Sequence, residues 1–229
     1  MFARRWRWGM ALLALAACAP AVGVTLRLVT EHGPPASMRD GDKIVGIATD
    51  KLREAMARTG IAYTIELMPW KLAYSFALNE PATCVFAAAR NAEREASFKW
   101  IGPLGELDWT MFARADRPMK LTSLEDARGM RIGTYKGDVS ETYLRGQGYT
   151  VDSAVDGMLN PGKLLAGRID LWITSSTGGQ INLVQLGLEK KIVPVLTFKH
   201  SELFMACNRG VSDEIVARLS AALAAMRAD

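Results

Sequence analysis

Arg90 and Arg94 are the side chains in this chain best placed to do chemistry. They stand four apart, directly after the apolar run Thr83-Cys84-Val85-Phe86-Ala87-Ala88-Ala89. That run is rich in strand formers and small residues and turns abruptly into the charged segment Arg90-Asn91-Ala92-Glu93-Arg94-Glu95. A buried strand that stops at a polar turn leaves its last residues at the rim of a sheet, and open α/β sheets bind ligands beyond the carboxyl ends of their strands. On a turn or short helix, residues spaced i, i+4 share a side. Two planar, bidentate guanidiniums at such a rim suit a carboxylate. The same residues admit a plainer role, in which both arginines are solvated and paired with Glu93 and Glu95.

Other reactive constellations are missing. The chain has two histidines, His32 and His200, and no cluster of His or Cys at metal-ligand spacing. It contains neither a Gly-x-Ser-x-Gly elbow nor a phosphate-binding Gly-rich loop ending in Lys-Ser or Lys-Thr. No metal and no cofactor is expected, and a binding role is favoured over an enzymatic one.

The residues around this stretch must position it. The length of 229 residues allows one or two domains, and 49% apolar with 23% charged residues is an ordinary globular balance. The first 23 residues differ. Arg4, Arg5 and Arg7 precede the apolar run Met10–Ala17, followed by the small-residue exit Ala19-Pro20-Ala21-Val22-Gly23. This is the pattern of a secretory signal peptide over 1–23, too short to span a bilayer. Leu15-Ala16-Ala17-Cys18 resembles a bacterial lipobox, which would make Cys18 an acylated first residue and give the protein a lipid anchor. Ala19-Pro20-Ala21 or Ala21-Val22-Gly23 would equally serve an ordinary signal peptidase. Without the three leader arginines the 28 basic and 24 acidic side chains become 25 and 24, so no footprint for nucleic acid remains. With Cys18 set aside, Cys84 and Cys207 form an even pair in an exported, oxidising setting. One bridge, or two buried thiols, follows.

Taken in order, Thr25–Thr30 alternates as a first strand and ends at the loop Glu31-His32-Gly33-Pro34-Pro35. Asp40-Gly41-Asp42 is a hairpin-type turn. Asp50 is expected to cap a helix over 51–59 that stops at Gly60. Ile61–Leu67 is a strand, Lys71–Leu78 a helix and Thr83–Ala89 the third strand, which is the rhythm of a parallel sheet. After Gly102-Pro103 the register changes, and Trp109–Ala113 is an extended crossover. Ser123-Leu124-Glu125-Asp126 has capping-box spacing. Arg131–Tyr135 is a strand, Lys136-Gly137-Asp138 a turn, and Val139–Arg145 a helix. A strand over Tyr149–Val151 and a helix opened by Asn160-Pro161 follow. Arg168–Ile173 is a buried strand that Thr174 and Ser175 end, with a helix from about Gln180. Leu203–Cys207 is a strand, and Ser212 caps the last helix.

The segment Arg90-Asn91-Ala92-Glu93-Arg94-Glu95, with Phe98-Lys99-Trp100-Ile101-Gly102-Pro103 behind it, resembles the extracellular solute-binding proteins of family 3. These are the periplasmic receptors that feed ABC importers of amino acids and similar small molecules. The resemblance spans nearly all of the chain after the leader. It implies an α/β, two-lobe periplasmic-binding-protein fold (type II), each lobe a mostly parallel sheet flanked by helices, with two hinge crossings. By that analogy lobe one is 24–108 plus 198–229 and lobe two is 109–197. It implies a monomeric, periplasmic receptor whose partners are a small carboxylate ligand and an importer permease. It puts the strand after the second crossing antiparallel to the third strand, which makes Cys84 and Cys207 cross-strand neighbours and implies a disulfide.

In that family the second arginine of the segment, here Arg94, grips the ligand carboxylate. Arg90 is then a second anion contact or a brace for Arg94. Glu31 falls where the family often has an acid facing the cleft, and Trp70 on the aromatic that packs against the ligand. Tyr135 and Asp138 occupy the loop before a helix N-terminus, where backbone amides hold anions; Asp138 opposes that and is equally suited to cap the helix. Thr174 and Ser175 complete the candidate site. The chain departs from the amino-acid binders in having Ser175 where an acid usually holds the ammonium group. It also has Ala87 and Ala89 where small hydroxyl residues usually help hold the carboxylate, and Gly33 and Ala36 in place of aromatics. The ligand is therefore an amino acid whose positive charge meets Glu31, or an acid with no amino group. Two rival roles stand beside transport: a ligand sensor that signals through a partner, and a dehydratase-like enzyme using Glu31 or Asp138 as acid or base.

Overall fold

A computed structural model describes residues 24–227. The leader over 1–23, and Cys18 with it, lies outside the described residues. At the centre of the first half is strand β1 (Leu26–Thr30), parallel to β4 (Tyr63–Leu67) on one side and β5 (Thr83–Ala89) on the other. The twofold period of a strand sets its two faces. Leu26 and Leu28 are fully buried with Leu52 and Met56 of α1 (Ile47–Thr59) and Leu219 and Leu223 of α7 (Asp213–Ala225). Val29 points the other way, into Ala73 and Ala77 of α2 (Trp70–Asn79). Between β1 and α1 lies a small hairpin of β2 (Met38–Asp40) and β3 (Lys43–Val45), and after β5 comes the short helix α3 (Ala92–Glu95).

Two long strands carry the chain between halves. β6 (Lys99–Arg114) and β10 (Ile192–Cys207) are 16 residues each and pair antiparallel from Cys207↔Lys99 to Ile192↔Arg114. One end of β10 adds to β5; along β6 lies β9 (Leu171–Ser175), followed by β7 (Arg131–Tyr135) and β8 (Thr150–Ala154). The result is one eight-stranded mixed sheet, ordered β4-β1-β5-β10-β6-β9-β7-β8. In the second half, Met111, Ile132, Leu171 and Ile173 pack with Leu144 of α4 (Val139–Gly146). On the opposite face Phe112 and Trp172 pack with Leu164 of α5 (Asn160–Leu165) and Leu183 of α6 (Ser176–Gln185). This is the expected α/β, two-lobe architecture.

Several local expectations are corrected. Helix α1 starts at Ile47, before Asp50, and Gly46 caps it; the amides of Ile47, Ala48 and Thr49 are satisfied by the carbonyls of Pro35 and Ala36. A loop that doubles back supplies the acceptors, so no side-chain cap is needed. Gly46 sits at φ 131, and a Cβ there would lie 2.5 Å from the Ala36 oxygen. Gly102-Pro103 does not separate two elements, because β6 runs through it. Arg168, Ile169 and Asp170 precede β9, where the Asp170 carboxylate instead takes the Arg131 side chain at 2.8 Å. Helix α6 begins at Ser176, four residues before Gln180, with the Ser175 hydroxyl accepting from the Gly178 amide at 3.1 Å.

Cys84 and Cys207 are register partners on β5 and β10 and are joined by a disulfide, their Cα atoms 3.9 Å apart. The bridge spans 123 residues of chain and sits at full burial in the first half's core.

Candidate functional site

A cavity of about 670 Å³ lies where the two halves face each other. Its wall comes from the carboxyl ends of β1, β5, β7 and β9 and the helix starts that follow them, the region where α/β sheets present ligand sites. Glu31, Trp70, Arg94, Tyr135, Asp138, Thr174 and Ser175 all line it. Five of them sit at the ends of elements: Glu31 directly after β1, Trp70 at the first position of α2, Tyr135 last in β7, Asp138 as N-cap of α4, and Ser175 last in β9 and N-cap of α6.

Arg94 is 8% exposed. Its backbone amide is held by the Asn91 side chain at 2.9 Å, which fixes the turn of α3. Its guanidinium lies 5.4 Å from the ring centre of Trp70 and 5.3 Å from that of Tyr74, an arrangement favourable to a cation. It donates to two carbonyls only at long range, Ala89 at 3.4 Å and Gly137 at 3.3 Å. Among the described residues no carboxylate reaches it as an ion pair, although its charge pulls on the Glu31 carboxyl. Arg90 takes the opposite course. Asn91 is the extended N-cap of α3, so Arg90 precedes the helix and the i, i+4 relation places nothing on a common side. Its guanidinium grips Glu95 in two bonds at 2.5 and 2.7 Å and lies over Trp100 and Phe204, away from the cavity wall. The expected second anion contact is thus a surface ion pair, as the plainer reading had it, with Glu95 alone.

Glu31 and Asp138 come from opposite halves, and both line the cavity. The Glu31 carboxyl is pushed up to about 8, first by burial and then by the Asp138 charge, against the pull of a Tyr135 hydrogen bond and of Arg94. The Tyr135 oxygen itself accepts from the Trp70 amide at 3.2 Å. Burial and the Glu31 charge push the Tyr135 hydroxyl up as well. Asp138 caps α4 through the Ser140 amide at 2.7 Å and also accepts from the Ser140 hydroxyl. Ser140 is in turn 2.8 Å from the Thr134 hydroxyl.

Four further wall residues were not legible as site residues. Thr134, Ser140 and Asn160 form a buried polar floor, and Asn182 projects from α6. Asn160 is fully buried; its amide donates to the Thr134 carbonyl at 3.0 Å while its Oδ1 has no partner, and the same is true of Asn182 Oδ1. Asn160-Pro161 signals only a helix start, and nothing in the linear pattern says that the side chain turns inward. Ala87 also lines the cavity, at φ 57 inside β5, a conformation that costs a non-glycine residue about 1–3 kcal/mol.

The halves touch directly around this space. The Trp70 indole donates to the Gly137 carbonyl at 3.0 Å, and Gly178 of α6 packs so closely on Pro34 that a Cβ would strike the Pro34 carbonyl.

No protein-family model matches the chain, and no curated protein sequence does. Solved structures do. A histidine kinase sensor domain with similarity to periplasmic binding proteins superposes with TM-score 0.82 at 21% identity, covering 90% of this chain and 91% of that one. An ancestral arginine-binding protein bound to arginine gives 0.76 at 22%, covering 90% and 93%. The GluR0 ligand-binding core from Nostoc punctiforme, in complex with L-glutamate, gives 0.75 at 17%, covering 89% and 93%. At these identities the likeness shows the fold. It is the periplasmic-binding-protein fold, consistent with the resemblance to family 3.

Proposed function

We propose that this protein is an exported receptor that captures a small carboxylate-bearing ligand, an amino acid or related organic acid, between its lobes and delivers it to an ABC importer. The observation that carries this reading is Arg94: a buried guanidinium, cradled by two aromatic rings and lacking a carboxylate partner among the described residues, in the wall of a cavity built by both halves. A charge-assisted contact of that kind is worth about 1.5–3 kcal/mol. Trp70, Tyr135, Thr174 and Ser175 complete the ligand's surroundings. Ligand contacts drawn from both halves exist only when the cleft is shut, so binding shifts the population toward the shut form that a permease recognises. The lobes divide as 24–108 with 198–229, and 109–197. The leader over 1–23 exports the chain, Cys18 is its lipid attachment, and the receptor acts as a monomer in the periplasm. The arginine- and glutamate-bound neighbours support the ligand class, and neither they nor the site give a reason to expect catalysis.

A second reading is a ligand sensor that signals through a partner; the sensor-domain neighbour favours it. A thermal-shift screen of amino acids and carboxylic acids tests what both readings share. Ligand at about a hundred times its Kd raises stability by about 2.7 kcal/mol. Carboxylates are expected as hits, with Arg94→Ala removing their shifts; hits confined to neutral sugars or metal cations overturn the reading. Uptake of the labelled hit by cells with and without the receptor separates importer from sensor.

A further inference from the structure

We infer that the ligand is a monocarboxylate with a large apolar body, aryl or alkyl, which runs from Arg94 to an apolar mouth formed by Ile47 of the first half and Val155 of the second. This rests on the carboxylate-receptor reading and narrows it. The first observation is size. The halves already touch through Trp70 and Gly137 and through Gly178 and Pro34, yet the cavity between them measures about 670 Å³. A water takes about 30 Å³, so the space is worth about twenty waters. A polar amino acid of about ten non-hydrogen atoms, each taking at most a water's share, fills no more than about half of it.

The second observation is that the polar groups of the wall are engaged with one another. At the start of α4 the Gly137 amide donates to Glu141 Oε2 at 2.6 Å and the Ser140 amide to Asp138 Oδ1 at 2.7 Å. The Gly178 amide donates to Ser175 Oγ at 3.1 Å, and the Met158 amide to Asp156 Oδ1 at 2.9 Å. Ala87 and Ala89 line the cavity without a hydroxyl to offer. A ligand with several polar ends would have to displace bonds the wall already makes. Arg94 differs, since its own hydrogen bonds are long, and it is the anchor for one carboxylate. Arg39 also lines the cavity, but it is exposed, and a charge meeting it there stays in water.

The third observation is the direction in which polarity changes. Arg94 is 8% exposed, whereas Ile47 and Val155, large and apolar, are 49% and 74% exposed, and all three line the cavity. The charge thus sits at the buried end and apolar side chains stand at the open end. The Ile47 side chain lies against Gly105 of β6, its Cδ1 3.4 Å from where a Cβ would stand. The half-buried Met158 lines the wall close after Val155. Exposed apolar side chains gathered at a cavity mark the place that a partner's apolar surface covers. Because Ile47 and Val155 belong to different halves, an apolar body held between them is itself a reason for closure.

The test is calorimetric binding to the full chain with two series. The apolar one runs from acetate to octanoate and adds phenylacetate and phenylpropionate; the polar one holds lactate, glutamate and succinate. Affinity is expected to rise about threefold to fourfold with each methylene until the cavity is filled. The heat-capacity change of binding should be negative. Ile47→Ser and Val155→Ser should each weaken the longest binder at least about fivefold and leave the shortest measurable one within about twofold. Both side chains are exposed, so both variants are expected to fold; their unfolding midpoints confirm it. Affinity that stays flat along the apolar series overturns the inference, as do variants that hold the longest binder within about twofold of wild type. Glutamate or succinate as the tightest binder, lost in Arg94→Ala, overturns the apolar body and leaves the receptor reading standing. A panel in which no carboxylate of either series binds sinks both.

Discussion

Trp70 Nε1 donates to the carbonyl of Gly137 at 3.0 Å, and Arg94 Nη2 reaches the same oxygen at 3.3 Å. One carbonyl of the second half thus collects two donors of the first, and both donors line the cavity. The expected consequence of Trp70→Phe is weaker ligand binding with little change in the stability of the unliganded protein. A net hydrogen bond is worth about 0.5–1.5 kcal/mol, or about two- to twelvefold in Kd. Calorimetry alongside a denaturation curve checks it. An equal loss in both measurements would make the contact a part of the fold and not of closure.

Arg94 and Arg90 should behave oppositely although four residues separate them. Arg94→Lys keeps the charge but loses the planar fork, and lysine does not stack in the same way between Trp70 and Tyr74. Its binding should fall by about tenfold or more, from the roughly 1.5–3 kcal/mol of a charge-assisted contact. Arg90→Ala removes an exposed pair with Glu95, worth about 0–1 kcal/mol of stability, and should leave ligand affinity unchanged. Parallel titrations of both variants decide; an Arg90→Ala protein that cannot bind would return that residue to the site.

The contrast shows where sequence reasoning reaches. The order of strands and helices was legible because hydrophobic periods are local: Thr83–Ala89 and Arg131–Tyr135 have the predicted limits. The cleft residues were legible where they end elements, since Glu31, Trp70, Tyr135, Asp138 and Ser175 are all terminal. Arg90 was misplaced because its spacing from Arg94 has meaning only inside a helix, and Asn91 starts that helix one residue too late. Asn160 was missed because its buried, unpartnered oxygen depends on Gly133 and Thr134 of a strand far off in sequence. Asp50 failed as a cap because loop carbonyls at Pro35 and Ala36 did the capping.

Glu31 makes stability depend on pH. Its folded-state value of about 8 lies above an ordinary carboxyl, near 4.5, so the folded protein binds the proton more tightly than the unfolded chain does. Stability should therefore fall as pH rises through the window between those values and level off above it. The cost at high pH is on the order of a few kcal/mol. Glu31→Gln abolishes this contribution, so the variant should be more stable than wild type at pH 9 and close to it at about pH 4.5. Urea midpoints at the two pH values measure the difference. A variant that gains nothing at high pH would show Glu31 ionised without penalty.

The Cys84–Cys207 bridge closes a loop with a sequence separation of 123. In the chain-entropy model a loop of that length is worth about 5 kcal/mol, independent of any contact the sulfurs make. It ties β10, and through it α7, to β5. Cys84→Ala with Cys207→Ala should lower the unfolding midpoint by about 10 °C or more while leaving the folded protein able to bind. Calorimetric unfolding of the double variant, compared with wild type kept free of reductant, gives the figure. Two titratable thiols in denatured, unreduced wild type would remove the bridge and its contribution together.

Gly178 supplies a separate test of closure. It lies in the first turn of α6, on the second half, and faces the backbone of Pro34 on the first. A Cβ there would strike the Pro34 carbonyl and Ser175 Oγ, and the Pro34 carbonyl belongs to a backbone that cannot swing aside as a side chain can. With the halves parted, the Pro34 contact disappears and only the flexible Ser175 hydroxyl has to move. Gly178→Ala should therefore act on the shut form. Overpacking costs about 1–3 kcal/mol, which translates into about five- to 150-fold weaker binding. Alanine is also the better helix residue by about 1 kcal/mol, so the unliganded protein should lose no stability. Small-angle scattering with saturating ligand should show the variant less compact than wild type, and calorimetry should show the loss of affinity. If Gly178→Ala binds as wild type does, the close packing of α6 on the Pro34 loop is not part of the ligand-bound form, and closure must bring the halves together along another line.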